Sequence, residues 1–157
     1  MNRRTLHTLV TLLLLTVTGL ISSGCSQEDD IDAIFTGKTW FIVGGKLNGQ
    51  YLDADEIRSL YDNSSSTYHI TFAGDTFSGS LSMGSTFSGQ WSADGKKHRL
   101  LLTITNKTTA ANTPLDNHIY QLLQSATHYS GDENILQIKS DDGNYLALNA
   151  NQRASKP

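Results

Sequence analysis

Residues 68–104 read YHITFAGDTFSGSLSMGSTFSGQWSADGKKHRLLLTI, and in that stretch apolar side chains alternate with polar ones along four successive runs. Tyr68, Ile70 and Phe72 alternate ahead of Ala73-Gly74-Asp75. Phe77 and Leu81 follow, then Phe87 and Trp91 lead to Ala93-Asp94-Gly95, and Leu100, Leu102 and Ile104 finish the set. A period of two with tight glycine or Asp-Gly turns predicts antiparallel hairpins with one face buried. The tetrapeptide Thr-Phe-Ser-Gly occurs at 76–79 and again at 86–89. Two copies do not make a repeat architecture, so they predict two neighbouring strands with similar needs. Gly79 and Gly89 inside strands predict bulges or a close backbone approach, which bends a sheet toward closure.

Elements of the same kind lie on either side. Lys38 to Val43 is aromatic and β-branched and predicts a first strand ending at Gly44-Gly45. Asp53, Asp55 and Glu56 precede Ile57, Leu60 and Tyr61 at helical spacing, predicting a short helix over about 54–62. Thr113-Pro114 supplies a helix cap with proline in the first turn, and Leu115, Ile119, Leu122, Leu123 and Ala126 form one apolar stripe. Ile135–Lys139 and Tyr145–Asn149 predict two last strands joined by a turn over 140–144. The expected fold is mainly β: a small antiparallel β-barrel or rolled sheet with two short helices.

The N-terminus carries an address. Arg3 and Arg4 precede an apolar run from Leu9 to Ile21, then Ser22-Ser23-Gly24 and Cys25, the single cysteine. This is the anatomy of a secretory signal, and the apolar run is shorter than the ~20 residues a membrane-crossing helix needs. Ending on Gly-Cys, it resembles a bacterial lipoprotein signal, with Ser22 where an aliphatic residue is usual. That resemblance implies that Cys25 is acylated and becomes the first residue of the mature chain, with more than one acyl chain for stable anchoring. The run Ser26-Gln27-Glu28-Asp29-Asp30 is a polar tether and resembles the acidic surface-export signal of Bacteroidetes lipoproteins. The expected organisation is a signal at 1–24, an acidic tether at 25–35, one domain at 36–150 and a frayed tail at 151–157. The expected location is the outer membrane, lipid-anchored, on its periplasmic or cell-surface face.

Gly37-Lys38-Thr39-Trp40 at the start, the central meander, the helix and the closing hairpin together resemble the META domain of heat-shock-associated bacterial lipoproteins. The matching positions are Gly37 and Trp40, Gly84 to Trp91, and Leu115 to Leu123. Ser85 and Thr86 stand where that family has Cys-Asn, and the spacing from Gly84 to Gly89 is one residue shorter. The Gly37 to Trp40 start also resembles lipocalin-like lipoproteins. Neither resemblance implies a catalytic residue, and a fold alone does not license a function.

Composition narrows the partners. Without residues 1–24 the chain has ten Lys and Arg against fifteen Asp and Glu. A mildly acidic domain with no basic stripe predicts no nucleic-acid binding. Of the candidates for chemistry, His69, His98, His118 and His128 show no metal-ligand spacing and read as surface or edge residues. Asp141-Asp142-Gly143-Asn144 lacks the pattern of a calcium loop and reads as a hairpin turn. Ser78 and Ser88 precede glycine within strands, where no nucleophile elbow forms. The acidic pairs Asp55-Glu56 and Asp132-Glu133 sit at helix and turn positions. Asn63 and Asn106 head glycosylation sequons that carry no weight in a bacterial lipoprotein. Trp40, Phe72, Phe77 and Phe87 read as core, whereas Tyr120, Tyr129 and Tyr145 fall near element ends, where a ring can face a partner.

No catalytic residue, cofactor or metal ligand is therefore expected, and the single modified site is Cys25. The expected function is a lipid-anchored envelope protein with a non-catalytic binding or structural domain. Its partners would be the membrane, through acylated Cys25, and a protein or glycan. The alternative is an envelope enzyme inhibitor, using a loop such as 106–113, or a hydrolase whose site forms only in three dimensions.

Overall fold

In the computed structural model, residues 28–52, 57, 68–108 and 113–150 are described. A short helix α1 (Ile31–Phe35) precedes strands β1 (Thr39–Leu47), β2 (Gln50–Tyr51), β3 (His69–Ala73), β4 (Thr76–Ser80), β5 (Thr86–Asp94) and β6 (Arg99–Thr108). Helix α2 (Pro114–Gln124) and strands β7 (His128–Gly131), β8 (Ile135–Lys139) and β9 (Tyr145–Asn149) follow. The strands form one antiparallel sheet that closes into a ring, because β1 pairs with β3 at Thr39 to Phe41 and with β9 at Phe41 to Lys46. The mainly β, antiparallel expectation holds.

The Thr-Phe-Ser-Gly copies turn out to be partners. Phe77 lies opposite Gly89 and Phe87 opposite Gly79, so each phenylalanine covers the other strand's glycine. A Cβ at Gly79 would stand 2.2 Å from the Phe87 ring, and one at Gly89 would stand 2.8 Å from the Phe77 ring and 2.0 Å from the Thr103 carbonyl oxygen. The motif recurs because the arrangement is reciprocal. The register slips beside Gly89, where Ser88 faces Asn106 and Gly89 faces Ile104, leaving Thr105 as the extra residue of a bulge.

Inward residues of every long strand meet in one core that fills the ring, with Trp40, Ile42, Ile70, Leu136 and Leu148 all buried. α1 packs its Phe35 against Phe72, Trp91 and Tyr129 at ring separations of 5.1, 4.9 and 5.1 Å, and the Trp40 indole donates to the Phe35 carbonyl. Asp30 caps this helix through the Ala33 N–H. β6 and β7 pair only at Arg99 and His128, and α2, the link between them, packs Leu115, Ile119, Leu122 and Leu123 against the core there.

Four readings need correction or fall away. β1 does not stop at Gly44-Gly45 but runs on to Leu47: the pairing with β9 shifts between Ile42 and Gly44, and a glycine lets the strand kink and continue. Residues 31–35 of the expected tether are helical with Phe35 fully buried, because Ile31, Ile34 and Phe35 are spaced for one helix face. β2 and β7 are too short to show alternation and escape the sequence pattern. The predicted helix over 54–62 lies outside the described residues except for Ile57, which is helical and buried.

Packing at the paired glycines sets the first expectation. Gly89→Ala should cost about 3 kcal/mol, since its methyl group meets backbone that cannot rotate away. Gly44→Ala, where an added Cβ meets nothing within 4 Å, should change stability by no more than about 0.5 kcal/mol. Urea unfolding of the two variants checks the contrast.

Candidate functional site

The outward positions of β1 and β3 to β6 line up in cross-strand rows. One runs Phe41, His69, Ser80, Thr86, Thr108; the next runs Thr39, Thr71, Ser78, Ser88, Asn106; the third runs Ala73, Thr76, Gln90, Thr103. No Asp, Glu, Lys or Arg stands at any of these positions. What the face offers instead is hydroxyl and amide groups, able both to donate and to accept. Several already bond across the strands: Thr71 Oγ1 and Ser78 Oγ are 3.0 Å apart, Asn106 Nδ2 donates to Ser88 Oγ at 3.4 Å, and the Thr86 and Thr108 hydroxyls are hydrogen-bonded to each other.

This face is indented by a groove of about 530 Å³ whose walls include His69, Ser80, Thr86, Ser88 and Asn106. His69 contributes an Nδ1 that is buried and has no hydrogen-bond partner among the described residues. The Phe41 ring lies 6.5 Å from the His69 ring, and Lys107 at the rim turns back, its Nζ 3.8 Å above the Tyr120 ring. A groove so equipped can bind an uncharged polar molecule by hydrogen bonds. It holds no pair of carboxylates and no thiol.

Elsewhere the sequence candidates scatter. Cys25, Asp55, Glu56 and Asn63 lie outside the described residues, as does 109–112 of the loop proposed for inhibition, while residues 106–108 belong to β6. His98 pairs with Asp29 at 3.2 Å, and His128 with Asp141 at 3.2 Å and with the Thr127 hydroxyl. His118 lines a shallow hollow beside Tyr51 and Pro114. Among the described residues no three metal-ligating side chains converge. Asp142 turns its oxygens onto Ser140 and onto the backbone and side-chain nitrogens of Asn144, and these bonds hold its carboxyl below the usual range. The same carboxylate oxygens that could face a cation thus close the hairpin turn. Asp132 is likewise held low by the N–H groups of Asn134 and Ile135. Tyr120 and Tyr129 are buried, whereas Tyr145 remains half-buried.

Asp116 escaped the sequence reading. It is fully buried, accepting from the Tyr68 hydroxyl at 3.0 Å and from both the backbone N–H and the hydroxyl of Ser82. Thr113 caps α2 by accepting from the Asp116 N–H at 3.1 Å. A carboxylate three residues into a capped helix also lies favourably in the field of the helix dipole. The available signal was the Thr-x-x-Asp spacing at 113–116, which marks a helix start without announcing burial. Tyr68, at φ 56, is bent into this contact just before β3. The hydroxyl of Ser82 is buried and donates to the Asp116 carboxylate. The cluster joins three chain segments and serves the fold.

Burial, with Asp116 next to it, pushes the Tyr68 phenol up to about 12. A raised tyrosine favours folding below the unfolded value near 10, and that contribution is lost as pH rises toward 12. Stability should accordingly decline between pH 10 and 12, less steeply in Tyr68→Phe, as guanidinium titrations at stepped pH would record. Asp116→Ala removes the buried acceptor of the Tyr68 hydroxyl and of the Ser82 N–H and hydroxyl and should cost about 3 kcal/mol at pH 7 by the same measurement.

Comparison with known proteins returns one solved structure of note, a DUF4847 family protein from Bacteroides vulgatus ATCC 8482. It is 29% identical, with a TM-score of 0.61, over 78% of this chain and 99% of that one. No curated protein matches. The matching family model is not the META domain suggested by the sequence pattern but the domain of unknown function DUF4847, over residues 26–149. Spanning nearly everything after Cys25, that match makes the chain a member of the DUF4847 family.

Proposed function

We propose that the protein is a lipid-anchored lipoprotein of the bacterial outer membrane whose domain binds an uncharged, hydroxyl-rich ligand of the glycan class without transforming it. The observation that carries the binding role is the outer groove of β3 to β6, where His69, Ser80, Thr86, Ser88 and Asn106 offer hydrogen bonds and the facing rows hold no charge. Sugars present the same mixed donors and acceptors without charge, and a ring such as that of Phe41 supplies an apolar flank. The ring interior is filled by core side chains, which leaves the surface to do the binding. Anchorage is supported by the signal anatomy ending at Cys25 and by the acidic run after it. The Bacteroides source of the solved relative agrees with a Bacteroidetes-type export signal.

Metabolic labelling with an alkyne fatty acid should mark the native chain and leave Cys25→Ala blank; equal incorporation removes the anchor. For the groove, electrophoresis through gels containing dextran, mannan or a β-glucan should retard the protein in at least one. Ser88→Tyr, which fills the groove from its floor, should abolish that retardation while keeping the native melting curve. Mobility unaffected by all three polysaccharides would refute the glycan assignment.

A further inference from the structure

Asp29 fastens the N-terminal segment to the folded body at one place. Its N–H donates to the Gly95 carbonyl at 3.3 Å, and its Oδ2 accepts from the Tyr129 hydroxyl at 2.9 Å and lies 3.2 Å from His98 Nε2. Gly95 has no room for a side chain, since a Cβ there would stand 2.4 Å from the Asp29 carbonyl oxygen. The chain is thus pinned on the turn between β5 and β6. Three residues separate Asp29 from Cys25, and the four steps of chain between the two span about 14 Å when fully extended. If Cys25 carries acyl chains embedded in a bilayer, this turn cannot stray further than that from the headgroups.

The turn is chemically suited to the place. Lys96, Lys97 and Arg99 are all exposed on it. The nearby acids turn toward partners on the protein: Asp94 accepts from the N–H groups of Lys96 and Lys97 and lies 3.8 Å from Lys97 Nζ, Asp29 bonds as described, Asp30 caps α1, and Asp141 faces His128 and the Thr127 hydroxyl. Glu28 is left exposed on the tether itself. Lysine and arginine beside a lipid surface are attracted to its phosphates. At the other end of β5, eight residues along and so about 27 Å away, lie Thr86 and the wall of the groove. The start of α2 is there too, tied to Ser82 through Asp116.

We propose that the β5–β6 turn is the membrane-facing end of the domain, seated on phosphate headgroups, so that the groove is held at the end remote from the bilayer. The inference rests on the lipid-anchor reading above. It can be tested on the full chain purified from membranes and placed in vesicles of phosphatidylethanolamine and phosphatidylglycerol carrying a headgroup nitroxide. A fluorophore at Lys97→Cys should be quenched several-fold more than one at Asn117→Cys, an exposed position on α2; matching circular dichroism melts confirm that both variants fold. Equal or reversed quenching, with the acyl mass on Cys25 verified, would overturn the orientation and leave the anchor standing. Absence of that acyl mass would remove both.

Discussion

Everything in this fold depends on β1 being hydrogen-bonded along both edges. Its first residues pair with β3 and the remainder with β9, so one nine-residue strand joins the beginning of the sheet to its end. Both partners run antiparallel to it, β3 along its first residues and β9 along the rest, and the strand bends where one takes over from the other. The register shift at Ile42 and Gly44 supplies the kink, and Gly45 lets the backbone come close to β9, where a Cβ would stand 2.7 Å from the Tyr145 carbonyl oxygen. Closing the sheet at this seam removes most of the unpaired edge that an open sheet would expose.

Closure then determines where function can reside. A ring of this size either encloses a cavity or is filled by side chains, and here it is filled: Phe35 enters from α1, the Phe77 and Phe87 rings lie over glycines, and α2 packs four apolar residues inward. With the interior occupied, the outward faces and the ends of the ring carry whatever recognition the domain performs. The two ends differ, because Asp29 ties the incoming chain to the β5–β6 turn while Asp116 ties α2 to the turn after β4. Each tie uses one carboxylate and one buried tyrosine, and in both cases burial raises the phenol.

Legibility in the sequence followed the range of the interactions. The hairpins from Tyr68 to Ile104 and the closing strands Ile135–Lys139 and Tyr145–Asn149 announce themselves, since alternation is local and each turn lies between its strands. The kink in β1 was misread as a stop because a glycine pair is the same signal for a turn and for a bulge; only the distant partner β9 decides between them. α1 was hidden among acids, one of which caps it. The rows of the groove were present as Ser and Thr at alternate positions, yet which of them stand side by side depends on register across five strands, including a bulge at Thr105. Asp116 looked like any acid in a first helical turn, since its burial comes from Tyr68 and Ser82, 48 and 34 residues away.

An open groove on a sheet surrounds less of its ligand than a closed cavity does, and hydrogen bonds made there compete with water at every position. A single copy would then hold a short sugar only weakly. The proposed anchor would change that arithmetic, because many copies on one membrane would meet a polymer whose units repeat, and after the first contact each further one would be intramolecular. Weak, charge-free recognition by each domain is therefore compatible with firm retention of a long chain, provided the grooves point away from the surface that carries them. The absence of charge from the rows would also matter at such a surface: the lysine at the rim, Lys107, is drawn back over the Tyr120 ring, whereas Lys96, Lys97 and Arg99 at the opposite end are exposed to phosphates.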